Sequence, residues 1–234
     1  MEPLLIVFIA VGVLVALAVA YTSHTARLER LAELARLADS LGWQFDPDSR
    51  YSPEDEYSHF RIFRTGHSRY AYNTLSGSCE VGGRSCPAQM GDFHYQTTSS
   101  DGDKTTTHTH RFSYYLLRLP YQQLPSMNIR REGLFDAIKG ALGFDDIDFE
   151  SAEFSKRFYV TSSQKRFAYD VIHPAMMEFL LASGTPTIAI EEGYCCLSDG
   201  HHTWTPEEFE AISEWAHRFF LLWPKHLTST LEPR

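Results

Sequence analysis

The chain has 234 residues, of which 43% are hydrophobic and 22% charged, with a formal net charge of −9. That acidity counts against nucleic acid, which is bound by neutralising its phosphates with Lys and Arg, and against a domain that lies on anionic lipid. The composition is that of a domain with a core, and four cysteines in this length make no disulfide scaffold, which fits a reducing compartment.

Leu4 to Tyr21 reads LLIVFIAVGVLVALAVAY and holds no charge. As a helix rising about 1.5 Å per residue it would be roughly 27 Å long, near the apolar thickness of a bilayer. A helix apolar on every face needs apolar surroundings, and a spanning helix satisfies its own backbone where lipid cannot. The rival is a cleaved export signal, since Ala18-Val19-Ala20 fits a small-x-small cleavage site. Against cleavage, Met1-Glu2-Pro3 carries no Lys or Arg and the run is longer than a usual signal core. Arg27, Arg30 and Arg36 follow the run, and cytoplasmic flanks are enriched in such residues, so the amino terminus is expected outside and the domain in the cytoplasm. The expected division is an anchor over 1–21, an amphipathic helix with an acidic loop over 22–58, an α+β domain over 59–226 and a tail over 227–234.

Thr22 to Leu41 spaces Leu28, Leu31, Leu34, Leu37 and Leu41 by three and four, with Glu29, Glu33, Arg36 and Ser40 opposite, which predicts an amphipathic helix. Ser23 is placed to cap its start and Gly42 its end. The helix would dock on the domain or pair with a second copy. Trp43 to Ser58, with Pro47 and Pro53, reads as an acidic loop or tether.

From Phe60 the period shortens. HFRIFRTG and SRYAYNTLSG read as two strands about Thr65-Gly66, and Gly82-Gly83 as the loop of a tight hairpin. Phe93 to Thr97 and HTHRFSYYLLRLP continue the strands, joined by a polar turn with Asp101-Gly102 at its tip. Short turns between successive strands imply an antiparallel meander. Leu134, Phe135, Ile138 and Leu142 then predict a helix ending at Gly143. DDIDFE reads as a short acidic strand or turn, FSKRFYV as a strand, and SSQKRFAYDVI as a helix broken at His173-Pro174 before AMMEFLLAS. TIAIEEGYCCL reads as a hairpin about Glu192-Gly193. Thr205-Pro206-Glu207-Glu208 predicts a capping box opening a helix that buries Phe209, Ile212, Ala216, Phe219, Phe220 and Trp223. This order implies α+β: an N-terminal transmembrane helix, then an antiparallel β-sheet domain with helices mainly on one face.

On RLERLAELARLADSLGW, LPSMNI and DIDFESAEFSKRFYVTSSQKRFAYDVIHPAMMEFL, over residues 25 to 225, the chain resembles a family of uncharacterised bacterial membrane-anchored proteins catalogued as a domain of unknown function. The resemblance implies the anchor and the fold, and carries no activity and no site.

Cys79 and Cys86 fall opposite one another if Gly82-Gly83 is the hairpin loop, with Cα atoms about 5.5 Å apart, and could share one ion such as zinc. His108 and His110 share one face of a strand and complete a candidate metal set, although no compact motif such as C-x2-C occurs. The plainer alternatives are cysteines acting as small apolar fillers and histidines on a solvated strand. Cys195 and Cys196, being adjacent, would face opposite sides. His201-His202 reads as a polar loop. Asp145, Asp146, Asp148 and Glu150 lack the central Gly of a calcium loop. Lys156, Arg157, Lys165 and Arg166 would balance those acids. Neither G-x-S-x-G nor a phosphate-binding Gly motif occurs, so no catalytic residue is assigned. The leading expectation is a single-pass membrane protein whose cytoplasmic domain binds another protein. The alternatives are a metal-dependent hydrolase or redox protein using Cys79, Cys86 and nearby His, and an exported domain with a Cys79–Cys86 disulfide.

Overall fold

The computed structural model describes residues 2–48, 57–102, 104–121, 123–132, 146–200 and 202–230. The helix expected over 134–142, most of the acidic loop, Asp145 and His201 lie outside these residues.

The first helix, α1 (Glu2–Leu41), runs unbroken through the position where Ser23 was expected to start a new one. No Gly or Pro separates the apolar run from the amphipathic stretch. Thr22 and Thr25 turn their hydroxyls back onto the carbonyls of Val19 and Tyr21, at 3.0 and 3.2 Å, so neither competes for a helix end. The apolar run and the amphipathic helix are therefore one rod. It stops at Gly42, whose φ of +66° only glycine adopts without cost. There Trp43 N–H bonds the Ala38 carbonyl at 2.8 Å and Gly42 N–H that of Asp39 at 3.2 Å, a Schellman closure.

The sheet has eight strands in the order β1-β2-β3-β4-β8-β7-β5-β6, every neighbour antiparallel. They are β1 (Gln44–Asp46), β2 (His67–Val81), β3 (Arg84–Asp101), β4 (Lys104–Arg118), β5 (Met127–Arg131), β6 (Phe158–Ser162), β7 (Thr187–Glu191) and β8 (Tyr194–Ser198). Gly82 and Gly83, at φ +57° and +75°, close the β2–β3 hairpin, and Glu192 and Gly193, at +49° and +79°, close β7–β8. These pairs of positive angles match the twist of the flanking strands.

One face of the sheet is covered by helices. The second half of α1 packs there with α4 (Lys165–Val171), α5 (Pro174–Ala182) and α6 (Pro206–Leu221), so that Leu34, Leu37, Phe167, Met176, Phe209 and Phe219 meet Leu75, Met90, Tyr115, Leu117 and Ile188 in one core. Burying Leu34 and Leu37 contributes about 2 kcal/mol each, so this end of α1 is part of the domain's core rather than a tether. α6 opens with the expected capping box: Glu208 N–H to Thr205 Oγ1 at 3.3 Å and Thr205 N–H to Glu208 Oε2 at 2.8 Å. The chain is α+β, with its helices mainly on this face.

The opposite face carries a smaller aromatic cluster, and here the structure departs from the expected strands. HFRIFRTG is not a strand: Arg61–Arg64 forms the short α2, and Tyr57, Phe60 and Phe63 lie three apart, presenting one edge to Phe93, Phe112 and Tyr114. Gln44–Asp46, expected in a loop, is the edge strand β1, paired to Thr74–Ser76. FSKRFYV is divided: α3 (Ala152–Arg157), capped by the Ser151 hydroxyl, ends where β6 begins at Phe158. β5, unassigned from sequence, sits between β7 and β6. At the far end, α7 (Lys225–Thr230) buries Leu227 where a tail was expected.

Candidate functional site

The most elaborated polar cluster is built around Asp92, which is fully buried on the helix-facing side of β3. Arg30 Nη2 donates to both carboxylate oxygens, at 3.0 and 2.8 Å. Asn73 Nδ2 donates at 2.8 Å and Ser113 Oγ at 2.5 Å. The network continues outward: Ser113 Oγ accepts the Trp204 N–H at 2.7 Å, and Arg30 Nη1 donates to the Trp204 carbonyl at 2.8 Å. One carboxylate thereby joins α1 to β2, β3, β4 and the segment leading into α6. Local backbone makes this possible. Asn73 takes φ +52° at a bulge between Tyr72 and Leu75, a conformation that Asn tolerates. A Cβ at Gly91 would lie 3.2 Å from the backbone of Tyr72, Asn73 and Thr74, so glycine there lets the bulge sit close.

Above this cluster, between α1 and the sheet, opens a groove of about 530 Å³ lined by Arg27, Arg30, Tyr70, Tyr72, Asn73 and Arg111. Burial, with the Asp92 charge adding, pushes the Tyr72 phenol up to about 12, so it stays a donor at neutral pH. Tyr70 stacks on His94 with ring centroids 4.4 Å apart, and His94 Nδ1 meets the Ser68 carbonyl at 3.0 Å. Arg27 meets Asp48 at 3.9 Å, with both side chains exposed. The groove thus gathers cationic and phenolic donors directly below the apolar run of α1.

The candidate metal residues divide into two separate pairs. Cys79 and Cys86 are direct cross-strand partners, as the hairpin register required. Burial is the main cause that pushes both thiols up. His108 and His110 pair with Thr97 and Tyr95 on the opposite face of the sheet, where His110 stacks on Tyr95 at 4.6 Å and meets Thr97 Oγ1 at 2.8 Å. Cys86 and Tyr95 are nine steps apart along β3, about 30 Å of strand. The two pairs therefore cannot share an ion, and among the described residues no group of three or more His, Cys, Asp or Glu is placed to hold one. Cys195 and Cys196 do face opposite sides, each buried in a different core.

The acidic and basic clusters are also used locally. Asp146 Oδ1 accepts the N–H groups of Ile147 and Val160, at 2.9 and 3.0 Å, fastening this segment to β6, while Ile147 and Phe149 point inward. Arg157 and Arg166 pair with Glu153 and Asp170 of their own helices, at 3.2 and 3.9 Å, rather than with DDIDFE. His202 lies 2.9 Å from Asp199. Sequence reasoning missed the Asp92 cluster, because its members are far apart along the chain. A lone Asp in a strand of bulky residues was the available signal, since a buried carboxylate needs donors.

No protein-family model matches the chain, and no curated protein matches it. Among solved structures it is similar to the mycobacterial trehalose monomycolate transport factor A, TtfA, with a TM-score of 0.57 and 11% identity, covering 88% of this chain and 98% of that one. At that identity the likeness is one of fold.

Proposed function

We propose that this chain is a single-pass membrane protein whose α+β domain, on the cytoplasmic side, is a non-catalytic interaction module serving transport at that membrane. The observation that carries this reading is α1. Its outer half is apolar and unpacked, with Phe8, Leu14, Val15 and Leu17 all more than half exposed, and by length and composition it can cross a bilayer. Its inner half is a core element of the domain, fastened through Leu34, Leu37 and the Arg30–Asp92 pair. A helix shared in this way ties the orientation of the domain to that of the membrane segment, which suits a protein that presents a surface at a fixed height and tilt.

Three further points support the reading. Arg27, Arg30 and Arg36 follow the apolar run, the flank preferred in the cytoplasm. The buried carboxylate and the thiols are engaged or protonated, as expected of a scaffold. The fold is that of a protein named for its part in trehalose monomycolate transport; from that name we carry over a transport role and not the cargo.

The test is crosslinking in intact cells. The full chain is compared with residues 1–26 fused to an unrelated domain, so that both sit in the same membrane. The reading predicts integral-membrane partners enriched on the full chain alone. Equal recovery on both would overturn it.

A further inference from the structure

The groove beside Asp92 has an open position, a charge and a location that together specify a ligand. Among the described residues its lining cations are Arg27, Arg30 and Arg111 and its lining acid is Asp48, with Asp92 bound beneath Arg30. Arg30 is matched to Asp92. Arg27 and Asp48 meet at 3.9 Å with side chains 69% and 86% exposed, a contact worth little in water. Arg111 has no carboxylate within ion-pair distance among the described residues. Among the described residues the groove therefore gathers more cations than acids, on a chain that is acidic as a whole.

Its position follows from helix geometry. Arg27 lies six residues beyond Tyr21, about 9 Å along α1, and the headgroup layer is roughly 5–8 Å deep on each side of a bilayer. An arginine at this depth extends its guanidinium into that layer while its stem follows the helix. Tyr70 and Tyr72, with ring centroids 5.8 Å apart, form an aromatic wall of half-buried phenols, a residue type enriched at membrane interfaces. Guanidinium groups recognise the oxygens of phosphate esters, and the volume falls within that of small-ligand sites.

We propose that the groove between α1 and β2–β4 binds a phosphate ester, presented by the headgroup of an anionic lipid in the membrane that α1 crosses. Arg111 and Arg27 contact the phosphate oxygens, Tyr72 donates through its hydroxyl, and the Arg30–Asp92 pair holds the groove's floor in place. The lipid source rests on the anchoring proposed above, whereas the phosphate chemistry does not.

The test uses the full chain in nanodiscs of phosphatidylcholine carrying a minor share of phosphatidylglycerol, with native mass spectrometry counting the phosphatidylglycerol retained on release. Arg111→Gln is compared with Arg118→Gln, an exposed arginine of the same strand outside the groove. Retention that falls about tenfold in Arg111→Gln and stays unchanged in Arg118→Gln upholds the site, one charge-assisted contact being lost. Equal retention in both variants overturns it. A second arm adds glycerol phosphate to the chain in discs of phosphatidylcholine alone. Arg111-dependent binding of glycerol phosphate without retained lipid upholds a phosphate-ester site and overturns the membrane source. A chain that fails to enter discs removes the anchoring, and Arg111-dependent binding of glycerol phosphate to the chain in detergent, or its absence, then decides the groove by itself.

Discussion

Arg30 and Asp92 do not share the cost of separation equally. The Asp92 side chain is fully buried, while 27% of the Arg30 side chain reaches solvent. Arg30→Ala leaves the Asp92 carboxylate with two donors, Asn73 and Ser113, and without its counter-charge. Asp92→Ala instead strands a guanidinium that can turn toward the groove, although it also leaves Asn73 and Ser113 without their acceptor. Removing one partner of a buried pair costs about 3–5 kcal/mol, so Arg30→Ala belongs near 4 kcal/mol and Asp92→Ala, discounted for that exposure, near 2–3 kcal/mol. For a domain of this size about 1 kcal/mol moves Tm by roughly 2–4 °C. Thermal unfolding of the full chain in detergent, followed by near-ultraviolet circular dichroism, should show Arg30→Ala lower by about 8–16 °C and Asp92→Ala by about 4–12 °C. The double variant should fall short of the sum by about 2 kcal/mol. A larger loss in Asp92→Ala than in Arg30→Ala, or a double variant equal to the sum, would refute the assignment of this pair as the clasp between α1 and the sheet.

Gly77 lies beneath Trp43, and a Cβ there would come within 2.3 Å of the indole; Gly77→Ala should cost about 1–3 kcal/mol and shift tryptophan fluorescence as Trp43 is displaced. At the β7–β8 turn, burial holds the Glu191 carboxyl at about 7 and keeps His59 below its ordinary 6.5. Between about 4.5 and 7 the folded chain keeps a proton on Glu191 that the unfolded chain releases, so stability from this group falls as pH rises through that window. His59 acts in the opposite sense, its contribution being lost as pH falls below 6.5. Glu191→Gln should therefore raise Tm at about pH 8 and leave a Tm that falls on acidification through His59; an unchanged pH profile would refute this. All four cysteines are free, and Cys195 and Cys196 are buried with thiols pushed far up. Alkylation at neutral pH should leave both unmodified in the native chain and reach all four only in denaturant.

What could be read in the sequence was local. The uncharged run before Thr22, the Gly82-Gly83 loop, the break at His173-Pro174 and the box at Thr205–Glu208 each state their geometry within a few residues, and the structure holds each of them. The errors arose where tertiary contact outweighs pattern. Phe60 and Ile62 flank Arg61 as in a strand, yet the spacing of three among Tyr57, Phe60 and Phe63 suits one edge of a turn packed on Phe93. β5 alternates Met127 and Ile129 with Asn128 and Arg130 as a strand does, but it is only 5 residues long and its partners β6 and β7 are distant in sequence. The Asp92 cluster could not be read at all: Arg30 lies 62 residues from Asp92, and Asn73 and Ser113 lie 19 and 21 away. Cys79 and Cys86 are opposite in their hairpin and His108 and His110 share one face of their strand, as read, and the sheet sets the two pairs on opposite faces.

The central claim is that α1 both spans the membrane and forms part of the domain's core, and it is tested most directly at the amino terminus of the chain made in cells. Membranes are washed in alkaline carbonate, and the mass of the retained chain is measured. The account predicts a chain that begins at Met1 and stays with the membrane after the wash. A chain that begins at Tyr21 and is recovered in the soluble fraction would contradict it.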